Sequence, residues 1–216
     1  MSHLRRTKLW VEFIVLFVAG PIVAAVFLPP TAIFAMLFAL TALGIILLVF
    51  TRDFQWSELW EGWRFIDPIL VAGFCIATAS TAYFVARITA PEALFSLVLT
   101  QPLLMLAIIV LYPLVSALPQ ELVYRPLFFR RYGRILPDNM PVQIVLNAGL
   151  FSLAHLMYWS PTVLAMTFIG GLIFAFAYET RGNFPEALVL HSLSGIIVFA
   201  IGLGTVFYSG NVIRPF

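Results

Sequence analysis

Long uninterrupted runs of apolar residues alternate with short polar connections along the whole chain. Most of these runs approach or exceed the ~20 residues that a helix needs to cross a bilayer. The pattern predicts an all-α polytopic membrane protein with about seven transmembrane helices (six to eight), over residues 9–28, 31–50, 68–86, 96–118, 140–158, 161–179 and 185–207.

The connection after the second run, residues 51–67, mixes aromatic and charged residues. Trp56, Trp60 and Trp63 alternate there with acidic and basic side chains. Tryptophan is enriched at the depth of the lipid headgroups, and amphipathic helices can lie in that plane. We therefore expect an interfacial helix near residues 54–66 that anchors the chain at the membrane surface.

Composition excludes several classes of protein. Of 216 residues, 62% are hydrophobic and 10% are charged, whereas a soluble domain has about 45–50% and about 25%. The chain is expected to be a single membrane domain over residues 1–216, without a large soluble domain. Its net charge of +2 is scattered between apolar runs, so we expect no nucleic-acid partner. The single cysteine, Cys75, excludes an intramolecular disulfide and a CxxC metal site.

The distribution of basic residues predicts the orientation in the bilayer, because Lys and Arg are enriched on the cytoplasmic side. If the N-terminus is cytoplasmic, Arg87 and Arg214 lie outside and Arg125 lies within an apolar run. Nine basic residues then lie on the cytoplasmic side: Arg5, Arg6, Lys8, Arg52, Arg64, Arg130, Arg131, Arg134 and Arg181. We expect a cytoplasmic N-terminus, and the short loops favour a prokaryotic cytoplasmic (inner) membrane.

Polar groups inside apolar runs each need a physical reason, because burying them in lipid is costly. Glu12 lies close enough to the inner end of its run to be solvated. Glu121 and Arg125 are spaced i, i+4, which suits a helical ion pair. Pro126 disfavours helical geometry at Arg125, so we expect a kinked or restarted helix that is buried or lines a wet cavity.

Two histidines lie on other runs. His155 ends a helical stripe that also includes Gln143, Asn147 and Phe151, and such a stripe faces protein or water rather than lipid. His191 lies on the last run with Ser194 on the next turn. Two histidines and an acid on three runs are the kind of group that activates water or binds a metal ion.

These strings resemble the motifs of the CPBP intramembrane proteases, a family that includes CAAX-processing endopeptidases and bacteriocin-immunity-like membrane proteins. The family pattern is EExxxR, then FxxxH, then HxxxN or HxxxD, on successive spans. The corresponding strings here run from Gln120 to Arg125, from Phe151 to His155 and from His191 to Gly195. The resemblance covers a catalytic core over roughly 100–200 and implies an intramembrane protease.

Two positions depart from that pattern. Gln120 stands where the family has its first glutamate, and Gly195 stands where it has Asn or Asp. Three interpretations are open: a natural variant branch with Glu121 as the base, a Glu→Gln inactivated form, or a catalytically inactive relative. The second departure favours a natural variant, since one inactivating change does not explain it.

The resemblance implies a hydrolytic mechanism. Glu121 would activate a water held between it and His155, and His191 would donate to the oxyanion. Gln120, Asn147 or Ser194 would supply the donor that Gly195 lacks. A zinc site made by Glu121, His155 and His191 is the rival chemistry. No HExxH motif occurs, so we expect no cofactor.

The expected function is that of an endopeptidase. It would act on a membrane-anchored peptide or protein tail that reaches a cytoplasmic-side or mid-membrane cavity. Both a prenylated C-terminal tail and the C-terminal anchor of an exported protein fit, and we favour a peptide or sorting tail. The alternative is a catalytically inactive membrane scaffold or immunity-type protein that binds a partner helix in the same cavity. A proton-coupled transporter is disfavoured because the sequence shows no paired repeats.

Overall fold

A computed structural model describes residues 3–212, 214 and 215. Within them, seven helices are long and apolar enough to cross a membrane, which confirms the predicted all-α polytopic architecture. They are α1 (His3–Phe27), α2 (Pro30–Val49), α3 (Pro68–Thr89), α4 (Pro102–Ile135), α5 (Met140–Tyr158), α6 (Pro161–Thr180) and α7 (Phe184–Ile201). The main departure is α4, which begins after a separate short helix, Pro91–Thr100, and continues well beyond the predicted end at residue 118.

Four helices begin at a polar cap followed closely by proline. The cap side chain accepts from a backbone N–H of the first turn, which would otherwise lack a partner, and proline needs none there. The capping oxygens belong to Asp67 of α3, Asn139 of α5, Ser160 of α6 and Asn183 of α7. These caps fix where the chain re-enters the apolar layer.

The core lies between α1, α4, α5, α6 and α7. Aromatic rings dominate the contact between α1 and α4, where Phe17 meets Tyr124, Phe128 and Tyr132 edge-on at centroid distances of 5.5 to 5.7 Å. Elsewhere α5 packs along α6, and α7 packs along α3. The core therefore holds α4 in the middle of the bundle, with the histidine-bearing helices around it.

Ion pairs tie the helices together at the arginine-rich end of the bundle. Glu12, which the sequence suggested was simply solvated, accepts from Arg131 at 2.7 Å and links α1 to the end of α4. The other pairs at this end are Glu58 with Arg130, Arg130 with Glu179, Asp53 with Arg134, and Arg181 with Glu186. The hydrogen bond to Glu186 raises the pKa of the Arg181 guanidinium, which therefore keeps its charge.

The segment near 54–66 is helical, but as two short 3-10 helices, Trp56–Leu59 and Glu61–Phe65, rather than one continuous helix. Tertiary contacts explain the interruption. The Gly62 carbonyl accepts from the Asn183 side chain at 3.0 Å, and Glu58 accepts from Arg130 at 2.9 Å. These bonds hold the backbone against the bundle while Trp60 is 56% exposed.

The opposite end of the bundle is closed by a glycine. Helix α7 ends at Ile201, earlier than the predicted residue 207, because Gly202 has a φ of +119°. A side chain at Gly202 would overlap the carbonyl of Ala93. The turn leaves the Ile201 carbonyl free to accept from Phe95 at 3.0 Å. The chain after Gly202 then crosses this end, where Phe207 contacts Tyr158 of α5.

Candidate active site

Helix α4 contains the first motif, residues 120–125, and continues through it without a break. The expected kink or restart at Arg125 is replaced by a π-helical stretch, Val123–Tyr132, with Pro126 inside it. A proline removes one N–H from the helical ladder, and a π turn is a common way to accommodate such a defect. The Tyr124 carbonyl accepts from the Asn147 side chain at 2.6 Å, which ties α5 to this stretch of α4.

A buried network joins three helices. Glu121 and Arg125 have 0% exposure and pair at 2.8 Å between Oε2 and Nε. The other Glu121 oxygen, Oε1, lies 2.8 Å from His191 Nδ1. Arg125 also donates to Asn147 Oδ1, and its guanidinium lies 5.3 Å from the Phe151 ring centroid. The predicted residues Glu121, Arg125, Asn147 and His191 therefore form one network.

The two histidines are held by their Nδ1 atoms. His155 Nδ1 lies 2.8 Å from the Phe151 carbonyl, and a carbonyl can only accept, so this nitrogen carries the proton. The last turn of α5 makes the bond possible, because the His155 N–H pairs with Ser152 and leaves the Phe151 carbonyl to the ring. His191 Nδ1 donates to Glu121 in the same way.

Neither Nε2 atom has a hydrogen-bond partner among the described residues. Both atoms keep some exposure, because neither is among the fully buried polar atoms without a partner. When each ring is neutral, these Nε2 atoms carry lone pairs. His191 is further fixed by the Phe174 ring, which stacks on it at 4.9 Å with an angle of 8°. Both imidazoles are thus oriented, each with an available nitrogen.

A cavity of about 380 Å³ includes both histidines in its wall. Gln120 and Ser194, which the sequence placed in the same candidate site, also line this cavity. Glu121 does not, although it is adjacent to Gln120 in sequence. Consecutive residues of a helix point about 100° apart, so Gln120 faces the cavity and Glu121 faces the core.

A second cavity of about 360 Å³ lies between α1, α2 and α5. Ser116, Gln120 and His155 line both cavities, together with Phe34 and Tyr158. The two spaces therefore meet at Gln120 and His155. The first cavity extends from the middle of the bundle toward the end opposite the arginine-rich end, where Phe207 lines it.

The other expected donors already have partners. Gln120 Nε2 donates to the carbonyl and hydroxyl of Ser116, both at 3.1 Å. Ser194 donates to the His191 carbonyl at 2.9 Å. Sequence reasoning missed Tyr112 and Ser116, which line the cavity two turns and one turn before Gln120, respectively. The available indication was that Tyr112, Ser116 and Gln120 follow one another at intervals of four residues.

The residues do not fit a metal ion. Among the described part of the chain, no three His, Cys, Asp or Glu side chains form a group that could hold one. Glu121, the only acidic candidate, has both carboxylate oxygens engaged by Arg125 and His191.

Comparison with known proteins identifies the segment that carries these motifs. Residues 99–197 match the family described as type II CAAX prenyl endopeptidase Rce1-like. No curated protein and no solved structure matches the chain. The matched segment contains Gln120, Glu121, His155 and His191, the residues on which the resemblance rested. This match to the Rce1-like family over residues 99–197 supports the resemblance to the CPBP intramembrane proteases.

Proposed function

We propose that this protein is an intramembrane endopeptidase that hydrolyses a peptide bond in a membrane-associated peptide or C-terminal tail. One observation carries the proposal. Two oriented histidines face a single cavity, their Nε2 atoms have no partner in the described part of the chain, and one of the histidines is bonded to a buried carboxylate. A base and an oriented imidazole beside one cavity are the minimum that water-dependent acyl hydrolysis needs.

His155 is the better candidate for the base than Glu121. The Glu121 carboxylate has 0% exposure, and its oxygens are bonded to Arg125 and His191. His155 Nε2 would take a proton from water as the water oxygen bonds to the scissile carbonyl carbon. The same proton would pass to the leaving nitrogen as the C–N bond breaks.

Glu121 would then act through His191. A carboxylate on Nδ1 orients an imidazole and stabilises its protonated form. In that form His191 Nε2–H would donate to the oxyanion, which would develop in a cavity lined mostly by apolar residues. Arg125 and Asn147 would hold the carboxylate in place.

The cavities favour an apolar segment as substrate. Among the described residues that line either cavity there is no Asp, Glu, Lys or Arg. Because the cavities meet at Gln120 and His155, a chain could extend to both sides of the bond being cleaved. With the N-terminus in the cytoplasm of a prokaryotic cell, the cavity would open toward the outer half of the inner membrane. That opening favours the C-terminal anchor of an exported protein over a prenylated cytoplasmic tail.

The second candidate is binding of a partner helix without hydrolysis. The observation that favours it is Gln120, an amide that cannot accept a proton from water and occupies the cavity wall where the family pattern has glutamate. A membrane scaffold or immunity-type protein would use the same cavity for a transmembrane segment.

Cleavage of a library of membrane-anchored peptides by the purified protein in lipid vesicles separates the two candidates. The variants are Gln120→Glu, Glu121→Gln and His155→Ala, with peptide binding measured in parallel. Cleavage by the natural chain that is lost in His155→Ala supports the endopeptidase. Cleavage only by Gln120→Glu identifies a disabled enzyme, and binding without cleavage in every variant supports the scaffold.

A further inference from the structure

The space beside Gly195 is occupied by an aromatic ring from another helix. A Cβ placed on Gly195 would overlap the Cε1, Cζ and hydroxyl oxygen of Tyr112. Tyr112 comes from the first half of α4, and both residues line the larger cavity. The phenol therefore fills the volume that a side chain at position 195 would need.

Tyr112 also lies next to the oriented histidine. Its ring packs edge-on against His191 at a centroid distance of 6.1 Å and against Phe199 at the same distance. These two contacts fix the ring over Gly195. The hydroxyl therefore lies in the same part of the cavity as His191, and the packed ring holds it in position.

Polar groups follow one another along α4 beside that hydroxyl. Gln120 Nε2 donates to Ser116 Oγ at 3.1 Å. Tyr112 lies one helical turn before Ser116, and all three residues line the same cavity. A phenol hydroxyl can donate its proton while it accepts from a neighbour, so Tyr112 can donate to an oxyanion in this cavity.

The other donors suggested by the sequence are committed. Asn147 is bonded to Arg125 and to the Tyr124 carbonyl and does not line the cavity. Ser194 donates to the His191 carbonyl, and the Gln120 amide donates to Ser116. Beside His191 in the cavity wall, Tyr112 carries a hydroxyl that none of these bonds uses.

We propose that Tyr112 is a catalytic residue of the hydrolysis, whose hydroxyl donates a hydrogen bond to the oxyanion together with His191. This inference rests on the proposed endopeptidase function. The phenol stays protonated throughout, since it donates a hydrogen bond and transfers no proton. The two departures from the family motifs, Gln120 and Gly195, lie in the wall of the same cavity, and the Tyr112 phenol occupies the space over Gly195.

The test measures kcat and KM for the peptide that the natural chain cleaves fastest. Tyr112→Phe keeps the ring and removes the hydroxyl, and loss of one oxyanion donor lowers kcat by about 10²–10³-fold in measured enzymes. We expect that loss with a nearly unchanged KM. Tyr83→Phe is the matched control, because Tyr83 is 41% exposed on α3 and should leave kcat unchanged.

A second variant tests the position itself. Tyr112→Ala/Gly195→Asn removes the ring and places an amide donor in the vacated space, so it should recover at least about 10-fold over Tyr112→Ala. Cleavage by the natural chain with an unchanged kcat in Tyr112→Phe would overturn the role of Tyr112 and leave the endopeptidase standing. Absence of cleavage by the natural chain would overturn both.

Discussion

Replacing Arg125 by methionine tests the buried network that holds the site together. The side chain has 0% exposure and donates to Glu121, Asn147 and the Tyr124 carbonyl. Breaking a buried ion pair by removing one partner costs about 3–5 kcal/mol, because it leaves an uncompensated charge. The Phe151 ring at 5.3 Å adds about 2 kcal/mol of cation–π attraction, because the contact is shielded from solvent.

We therefore expect Arg125→Met to lower the free energy of unfolding by about 5–7 kcal/mol. The assay is reversible unfolding by sodium dodecyl sulfate in mixed micelles, followed by tryptophan fluorescence. Arg64→Met is the matched control, since Arg64 is exposed and a surface substitution changes stability by about 0.5 kcal/mol or less.

A double-mutant cycle isolates the ion pair from lost packing. Glu121→Gln in the Arg125→Met background removes the orphaned charge, so the double variant should be at least about 1 kcal/mol more stable than Arg125→Met alone. A loss below about 1 kcal/mol in Arg125→Met, or additive effects in the cycle, would refute the reasoning.

Three further results are expected. Glu58→Ala should lower the free energy of unfolding by about 1 kcal/mol in the same assay, less at high salt, because it removes a partly exposed pair with Arg130; an effect that salt does not alter would contradict this. A chelator of divalent metal ions should leave peptide cleavage unchanged, and inactivation reversed by added zinc would contradict the metal-free mechanism. In a Cys75→Ala background, an impermeant thiol reagent added to intact cells should label Glu92→Cys and not Ser57→Cys, and the opposite pattern would reverse the proposed orientation.

The sequence was a good guide to the elements because lipid imposes a simple rule on them. Apolar runs long enough to span a bilayer become helices, and all seven predicted runs do so. The residues at which the helices end were less predictable. Helix α4 continues to Ile135 because Arg130 and Arg131 find acidic partners beside its last turns, and that pairing depends on residues far away in the chain.

The structure brings the residues that the sequence singled out close together, but their arrangement could not be predicted from the sequence. The rarity of polar groups in spans singled out Glu121, Arg125, His155 and His191. Which of two adjacent residues faces the cavity depends on the rotation of α4, and Gln120 rather than Glu121 lines it. The sequence did not point to Tyr112, because a tyrosine in an apolar run is common. Only the structure places its ring over Gly195.

The central claim is that His155 removes a proton from the attacking water. The most direct test is the rate of peptide cleavage in lipid vesicles by the natural chain and by His155→Gln, each saturated with the same membrane-anchored peptide. A positioned general base contributes about 10²–10⁴-fold, so the account predicts at least a 10²-fold lower rate in the variant with peptide binding retained. Equal rates in the two proteins, or no cleavage by the natural chain, would contradict it.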